Sequence, residues 1–485
     1  MKKKENRIYG VSSLLKEHTG LFTDHYELSM AQGYFLEGVH EQPACFDYFF
    51  RENPYNGGYT VFTGLHELLG LIQEIRYNEE DIEFLQSIGF DKKFLDHLKD
   101  LTFQPDVYAV KEGEIVFPNE PVLRVEAGIL EAQILETLVL NVLNFDSLIT
   151  TKAVRMRDVA GDRSLMDFGL RRAQGLGGLQ ASVSTVKGGF NQTSNVYSAF
   201  LTGIESTGTM AHSWIQSFDD ELEAFRVFAR HFPGKCILLV DTYDTLETGV
   251  PNAIRVAREM EDEGRQLLGI RLDSGDLGEL SKKARKMLDD HHLQYVKIVA
   301  SNKLDEYAIS ELMKQQAPID IFGVGTSVIT GKGEGALDGV YKLSMANGVP
   351  RMKVSDNRSK MTLPGVKSVW RFTGSDGKFK ADAIALLDES KPGIMFDPVD
   401  NSKRTDLSGL EGKPLMELFM KKGKPVAEWP SPDETAGYVL SGMKKLPEEH
   451  RKLEDPSSYP VGLSNRLLDL REELASEFLS KSGKE

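Results

Sequence analysis

Along this 485-residue chain, charged residues and glycines that could hold a small anion recur just after short apolar runs. Phe168-Gly169-Leu170-Arg171-Arg172 follows Ser164-Leu165-Met166-Asp167, and Thr209-Met210-Ala211-His212 follows Gly203-Ile204-Glu205-Ser206-Thr207. Asp241-Thr242-Tyr243-Asp244, Arg271-Leu272-Asp273-Ser274-Gly275-Asp276, Ser301-Asn302 and Gly323-Val324-Gly325-Thr326-Ser327 complete the series. Guanidinium forks pair bidentately with phosphate oxygens, which gives Arg171, Arg172 and Arg271 a use; ion pairing at the surface is their other reading. Gly323 and Gly325 would let backbone N–H groups approach an oxyanion, with Thr326 and Ser327 adding hydroxyl donors; a plain tight turn is the alternative. The segment is not a Walker A loop, because the spacing to Gly331-Lys332 is wrong and no Ser or Thr follows the lysine.

Asp273 and Asp276 flank Ser274-Gly275 and could hold Mg²⁺ through water or bind sugar hydroxyls. They could equally cap and open the helix that follows. His212 precedes Trp214, Phe218, Leu222 and Phe225, whose spacing predicts one face of a helix. A helix N-terminus favours negative charge, so a phosphoryl group on that imidazole would be well placed; a hydrogen-bonded core histidine is the other reading. No HExxH motif or paired His/carboxylate spacing occurs, so a tightly held transition metal is not expected.

These residues need a scaffold that brings strand ends together. Cys236–Val240, Leu267–Leu272, Val296–Ala300 and Ile319–Phe322 alternate with helical stretches at a period of roughly 25–30 residues, the pattern of βα units on a parallel sheet. Six or more strands in one direction suggest a barrel or a doubly wound sheet; the fold expected is α/β, an irregular parallel α/β barrel over residues 131–345, with an additional mixed α+β domain built from N-terminal and C-terminal segments. In such a barrel the reactive residues sit at the C-terminal ends of the strands. The N-terminal region, residues 1–130, combines an acidic helical stretch, Asn78 to Asp100, with β-like Val107–Val110 and Pro121–Val125. The C-terminal region, residues 346–485, carries β-like Lys367–Phe372 and a final helical, surface-exposed stretch, and is expected to pack on the N-terminal domain.

Lys and Arg total 58 against 73 Asp and Glu, a net charge of −15, which argues against general binding to nucleic acid or anionic membrane. The basic start, Met1 to Arg7, is not followed by an apolar core, so no secretory signal is expected. The apolar stretch Gly128 to Thr150 contains Glu131, Gln133, Glu136 and Asp146, costly groups in hydrocarbon, and is read as a core helix. Two cysteines, Cys45 and Cys236, cannot build a disulfide framework, which fits a reducing, cytoplasmic setting.

Taken in order, Thr23-Asp24-His25-Tyr26-Glu27-Leu28-Ser29-Met30-Ala31-Gln32, Asp167–Gly175, Gly208–Trp214, Leu239–Thr245, Arg271–Leu277 and Phe322–Thr326 resemble the nicotinate phosphoribosyltransferases, in the nicotinate and nicotinamide branch of the type II phosphoribosyltransferases. The resemblance runs from residue 23 to 326 and is looser beyond about 345. It implies the substrates nicotinate, phosphoribosyl pyrophosphate and ATP, the products nicotinate mononucleotide, pyrophosphate, ADP and phosphate, a requirement for Mg²⁺, and a homodimer with shared active sites. It also implies that Phe168 stacks on the pyridine ring, with Tyr26 covering the other face from a second subunit. Arg171 and Arg271 would hold the diphosphate and ribose phosphate, and Asp273 the ribose hydroxyls or Mg²⁺. Gly323, Gly325 and Thr326 would cradle the 5′-phosphate, with Ser301 and Asn302 nearby, and His212 would be transiently phosphorylated by ATP. Asn191 stands where the family often has Asp; a neutral amide would not repel a carboxylate, and Ser213 is a second candidate to read it. The nearest alternative keeps the fold and takes nicotinamide or quinolinate. A sugar-phosphate aldolase or isomerase would need a Schiff-base lysine, for which only Lys187 offers itself; a non-enzymatic scaffold would bind nucleotide without releasing pyrophosphate.

Overall fold

The computed structural model describes residues 17–355 and 361–481; the basic segment Met1 to Arg7 lies outside them. The chain divides into two compact units: a continuous one, Lys152–Lys332, and a two-segment one made of the chain up to Thr151 and the chain from Gly333. The expected boundaries at 130 and 345 therefore shift. Residue 130 lies in the first turn of one unbroken helix, Ile129–Ala160, and residue 345 lies inside the strand Gly339–Ala346, which pairs along its length with Pro43–Phe50.

The continuous unit is built on six strands: β1 (Ser164–Asp167), β2 (Gln192–Thr193), β3 (Ile237–Leu239), β4 (Gly269–Leu272), β5 (Lys297–Ser301) and β6 (Ile321–Val324). They run parallel in the order β2-β1-β6-β5-β4-β3. Successive side chains on a strand point to opposite faces. Leu238, Ile270, Leu272, Ile298 and Ala300 pack among the flanking helices with Ala253, Ala257, Ala284 and Leu288. On the other face Met166, Phe168, Ile237, Val299 and Ile321 form a separate apolar cluster. Burial on both faces explains why these strands are apolar runs rather than alternating ones.

Two local expectations change. Gly203–Thr207 is not a strand. Thr193 takes the place beside Asp167, and Ser206 makes only a single bridge to Thr193 after the helix Val196–Thr202. The helix expected across Trp214 to Phe225 is two, His212–Gln216 and Glu221–His231, because Asp220 caps the second by accepting from Leu222 N.

In the two-segment unit, Pro43–Phe50 lies between Gly339–Ala346 and Leu123–Gly128 in an antiparallel sheet. Asp106–Ala109 follows, and Glu417–Lys421 adds to it, so C-terminal residues extend an N-terminal sheet. A second sheet contains Lys367–Thr373 and Phe379–Leu386. The helix Ile129–Ala160 is, among the described residues, the one long and apolar enough to cross a membrane on length and composition; 67% of its most apolar window is buried, as a core helix requires. The final helix, Asn465–Lys481, is not simply exposed: Leu467, Leu468 and Arg471 are buried.

Candidate active site

The loops at the C-terminal ends of four of the parallel strands, β1, β4, β5 and β6, converge on a cavity of about 420 Å³ within the continuous unit. Asp167 ends β1 and is fully buried; its carboxylate accepts from Gly169 N (2.7 Å), Ser182 Oγ (2.8 Å) and Thr193 Oγ1 (2.7 Å). Burial pushes this carboxyl above its ordinary value, while those three donors favour the charged form. The knot fixes the turn that carries Phe168 and the short 3₁₀ turn Leu170–Arg172, from which Arg171 and Arg172 face the cavity.

Phe168 is buried with its ring against β6. A Cβ on Gly323 would lie 2.4 Å from the ring, so only glycine leaves the aromatic where it is. Gly325 immediately precedes the helix Thr326–Ile329, and Gly323, Gly325, Thr326 and Ser327 all line the cavity. That places a glycine-lined backbone and two hydroxyls where an anion would be held.

On the neighbouring strands the charges interlock. Arg271, on β4, donates through Nη2 to Met210 O at 3.0 Å, while its buried Nε–H has no partner among the described residues. Burial lowers the pKa of this guanidinium, Asp273 and Asp241 raise it, and Arg171 lowers it further; at neutral pH it stays a cation. Asp273 accepts from Ser301 Oγ, and its backbone N–H donates to Asp241 Oδ2 at 2.8 Å. Asp241 Oδ2 also accepts from Ser274 Oγ at 2.6 Å, leaving Oδ1 buried and unpartnered among the described residues. His212 opens its short helix with Nε2 3.7 Å from Asp273 Oδ2, and its Nδ1 shares a hydrogen bond with Thr242 Oγ1 at 3.1 Å.

The structure thus brings together Phe168, Arg171, Arg271, Asp273, Ser301, Asn302, Gly323, Gly325 and Thr326, with His212 one contact away through Asp273. Three expected residues are elsewhere. Asn191 sits at the opposite end of β1, where its Oδ1 accepts from Leu165 N at 2.9 Å and its own N–H donates to Leu165 O; it starts the strand and does not line the cavity. Ser213 is exposed and outside the cavity lining. Tyr26 belongs to the two-segment unit, on the helix His25–Leu36, and is 48% exposed.

Family models match nearly the whole course of the chain. They are the nicotinate phosphoribosyltransferase N-terminal domain over residues 21–144, the nicotinate phosphoribosyltransferase family over 163–375, and its C-terminal domain over 366–471. The chain is 41% identical over 455 residues to the nicotinate phosphoribosyltransferase of Bacillus subtilis, covering 92% of each, and 33% identical over 510 residues to that of Homo sapiens, covering 92% of this chain and 95% of the relative. The chain belongs to the nicotinate phosphoribosyltransferase family. The crystal structure of human nicotinic acid phosphoribosyltransferase has the same fold, with a TM-score of 0.83 at 31% identity over 93% of this chain and 99% of that one. A nicotinate-nucleotide pyrophosphorylase from Pyrococcus furiosus matches in fold, with a TM-score of 0.71 at 23% identity over 91% of this chain and 98% of that one.

For a nicotinate phosphoribosyltransferase-family chain, the cavity holds two cations the sequence reading passed over, Lys303 and Lys332. Lys303 continues the Ser301-Asn302 turn, where Asn302 (φ 86°) and Lys303 (φ 51°) are both left-handed. Two consecutive left-handed non-glycine residues are uncommon and mark a turn held for a purpose, but a backbone angle is not legible from residue types. Asp241 was visible as a post-strand acid, yet its grip on Asp273 N and Ser274 Oγ joins loops more than thirty positions apart and leaves no local pattern. Among the described residues no three His, Cys, Asp or Glu side chains cluster as metal ligands. The unpartnered Asp241 Oδ1 beside Asp273 fits a divalent cation held by one or two carboxylates and completed by substrate oxygens and water, the usual manner of Mg²⁺.

Proposed function

We propose that this chain joins nicotinate to the ribosyl 5-phosphate of phosphoribosyl pyrophosphate, releasing pyrophosphate in NAD biosynthesis, and that it couples the step to ATP through phosphorylation of His212. The observation that carries the reading is the unsatisfied Arg271 Nε–H in the same cavity as the Gly323–Thr326 turn, with Asp273 joining that cavity to His212. A buried charged donor without an acceptor is costly, and a diphosphate oxygen removes the cost.

In this reading the ribose C1–diphosphate bond breaks as Arg271 and Arg171 take up the charge growing on the leaving oxygen, and the pyridine nitrogen forms the new bond to C1. Phe168 orients the ring for that attack. Asp273, fixed by Ser301 and Asp241, receives the ribose hydroxyls; Asp241 and Asp273 are the residues that would hold Mg²⁺, which when bound supplies charge neutralisation to the diphosphate. His212 accepts the γ-phosphoryl group of ATP, with cleavage of its P–O bond, formation of a P–N bond and departure of ADP. Water later cleaves the P–N bond to give phosphate. The added charge beside Asp273 alters how tightly the diphosphate is held.

Three further parts of the reading have support of their own. Curling of the parallel sheet into an irregular barrel is supported by the Met166, Phe168, Ile237, Val299 and Ile321 cluster, which gathers side chains from strands far apart in the sheet order. A homodimer with Tyr26 supplied by the second copy is supported by two sets of exposed apolar side chains. One set is Phe22, with Tyr26 and Met30 one helical turn apart on the helix His25–Leu36; the other is Leu170, Leu176, Val196 and Phe200 in the continuous unit. A cytoplasmic setting is supported by two free, buried cysteines.

The test supplies nicotinate and phosphoribosyl pyrophosphate with and without γ-labelled ATP, and follows pyrophosphate release and acid-labile label on the protein. Wild type should release pyrophosphate and carry label; His212→Ala should carry none and should no longer consume ATP in step with mononucleotide. A His212→Ala variant that still couples the two contradicts the phosphohistidine role. Nicotinamide or quinolinate turning over faster than nicotinate contradicts the acceptor.

A further inference from the structure

A second cavity, of about 330 Å³, lies wholly within the two-segment unit. Its floor is apolar, with Ile384, Val461 and Leu463, and the side chains of Tyr459 and Arg471 line it as well. Arg471 is only 2% exposed and is held at three points: Nη1 donates to Pro398 O at 2.8 Å, and Nη2 to Asn401 Oδ1 at 3.2 Å and Glu472 Oε1 at 3.0 Å. Its Nε–H is buried and has no partner among the described residues. The carboxylate in the lining, Asp397, is committed through Oδ1 to Val399 N and Asp400 N, both at 2.8 Å. Tyr459 OH is likewise committed, donating to Asp382 Oδ1 at 3.1 Å.

The lining therefore offers one immobilised, charge-assisted donor beside an apolar floor, with the polar side chains of Asn119, Ser457 and Ser458 and the Asp397 carboxylate around it, in a space of the size small-molecule sites occupy. We propose that this cavity is a second ligand site, separate from the nucleotide-forming one, for a small carboxylate with a flat apolar body. One carboxylate oxygen accepts from Arg471 Nε, and the ring system lies on Ile384, Val461 and Leu463. A neutral molecule of the same shape would fill the space and leave the donor unpaired, so the site discriminates by charge.

Titration calorimetry of the full chain with 2-naphthoate, and with its neutral counterpart 2-naphthalenemethanol, tests this. The carboxylate should bind saturably, more tightly than the alcohol, and equally well to an Arg271→Ala chain, which separates this site from the first. Arg471→Met should weaken it by roughly tenfold or more, the worth of a charge-assisted hydrogen bond. Val399 lines the cavity and is 58% exposed, so Val399→Trp obstructs the space without loading the core and should weaken binding to a similar degree; it decides the matter if Arg471→Met does not fold. No binding by wild type, equal binding of the alcohol, loss in Arg271→Ala, or undiminished binding in Val399→Trp overturns the proposal.

Discussion

Two arginines drawn into this molecule, one in each unit, are treated in opposite ways. Arg371, 1% exposed in the two-segment unit, has a partner at each of its three nitrogens: Nε and Nη2 donate to Asp382, Nη1 to Glu114 Oε1 at 2.6 Å, and Nη2 also to Ile115 O at 2.6 Å. Burial lowers the pKa of that guanidinium, but Asp382 and Glu114 together raise it well above its ordinary value. Arg271, in the continuous unit, has one backbone acceptor for Nη2 and nothing for Nε among the described residues. A saturated buried cation is part of the scaffold. An unsaturated one, at a strand end and beside a glycine-lined turn, is a place prepared for something the protein does not itself supply.

Four variants break or sharpen that contrast, from the largest effect to the smallest. Arg371→Ala strands Asp382 and Glu114 in the core and should cost about 3–5 kcal/mol in urea-monitored unfolding, if it folds at all; an unchanged midpoint would dissolve the distinction. Arg271→Ala should leave unfolding nearly unchanged. It should lower kcat/KM for phosphoribosyl pyrophosphate by about 10²–10³-fold, far more than for nicotinate, and an equal fall for both substrates would count against its assigned partner. Gly323→Ala places a methyl group into the Phe168 ring, and should raise KM for nicotinate on the order of tenfold, with a smaller effect on the phosphoribosyl substrate.

The smallest effect concerns Glu120, buried beside the Arg371 network. Burial raises its carboxyl pKa well above the ordinary value, Asp382 raises it further, and Arg371 opposes both. The folded-state value exceeds the unfolded one, so the stability this group contributes is full below the unfolded value and is lost as pH rises through the folded value. Glu120→Gln keeps an acceptor for Phe117 N, now 3.1 Å from Glu120 Oε2. It should flatten the decline in Tm between pH 5 and pH 8, raising Tm at pH 8 on the order of 2 °C. A variant whose Tm falls more steeply with pH than wild type would contradict the upward shift of this carboxyl.

The two regions also differ in how far their residues announced them. The strand ends of the continuous unit were legible because a buried parallel strand is an apolar run, and whatever polar residue follows it is exposed by the fold: Arg271, Asp273 and Gly323 could be placed by reading forward from Leu267–Leu272 and Ile319–Phe322. Asn191 was put forward by the family resemblance and not by a strand end. It precedes a strand, and its amide bonds Leu165 at the entry of β1 rather than facing the cavity at the exit. Lys332 was passed over because its linear spacing fits no phosphate-loop motif, although the turn after Thr326–Ile329 brings it to the cavity in space. In the two-segment unit the helices between Asn78 and Asp100 and the strands at Val107, Leu123 and Lys367 were legible, but the pairings were not, because they are long-range: Glu417–Lys421 pairs with Asp106–Ala109, and Arg371 meets Glu114 across more than 250 positions. Neither leaves a local periodicity to find.

The central claim is that Arg271 is left incomplete so that the diphosphate of the phosphoribosyl substrate can complete it. The direct measurement is equilibrium titration of phosphoribosyl pyrophosphate alone, with Mg²⁺, into wild type and Arg271→Ala. Wild type should bind saturably, and binding should weaken on the order of a hundredfold in the variant while its unfolding midpoint is unchanged. Equal affinity in the two folded proteins would contradict the claim.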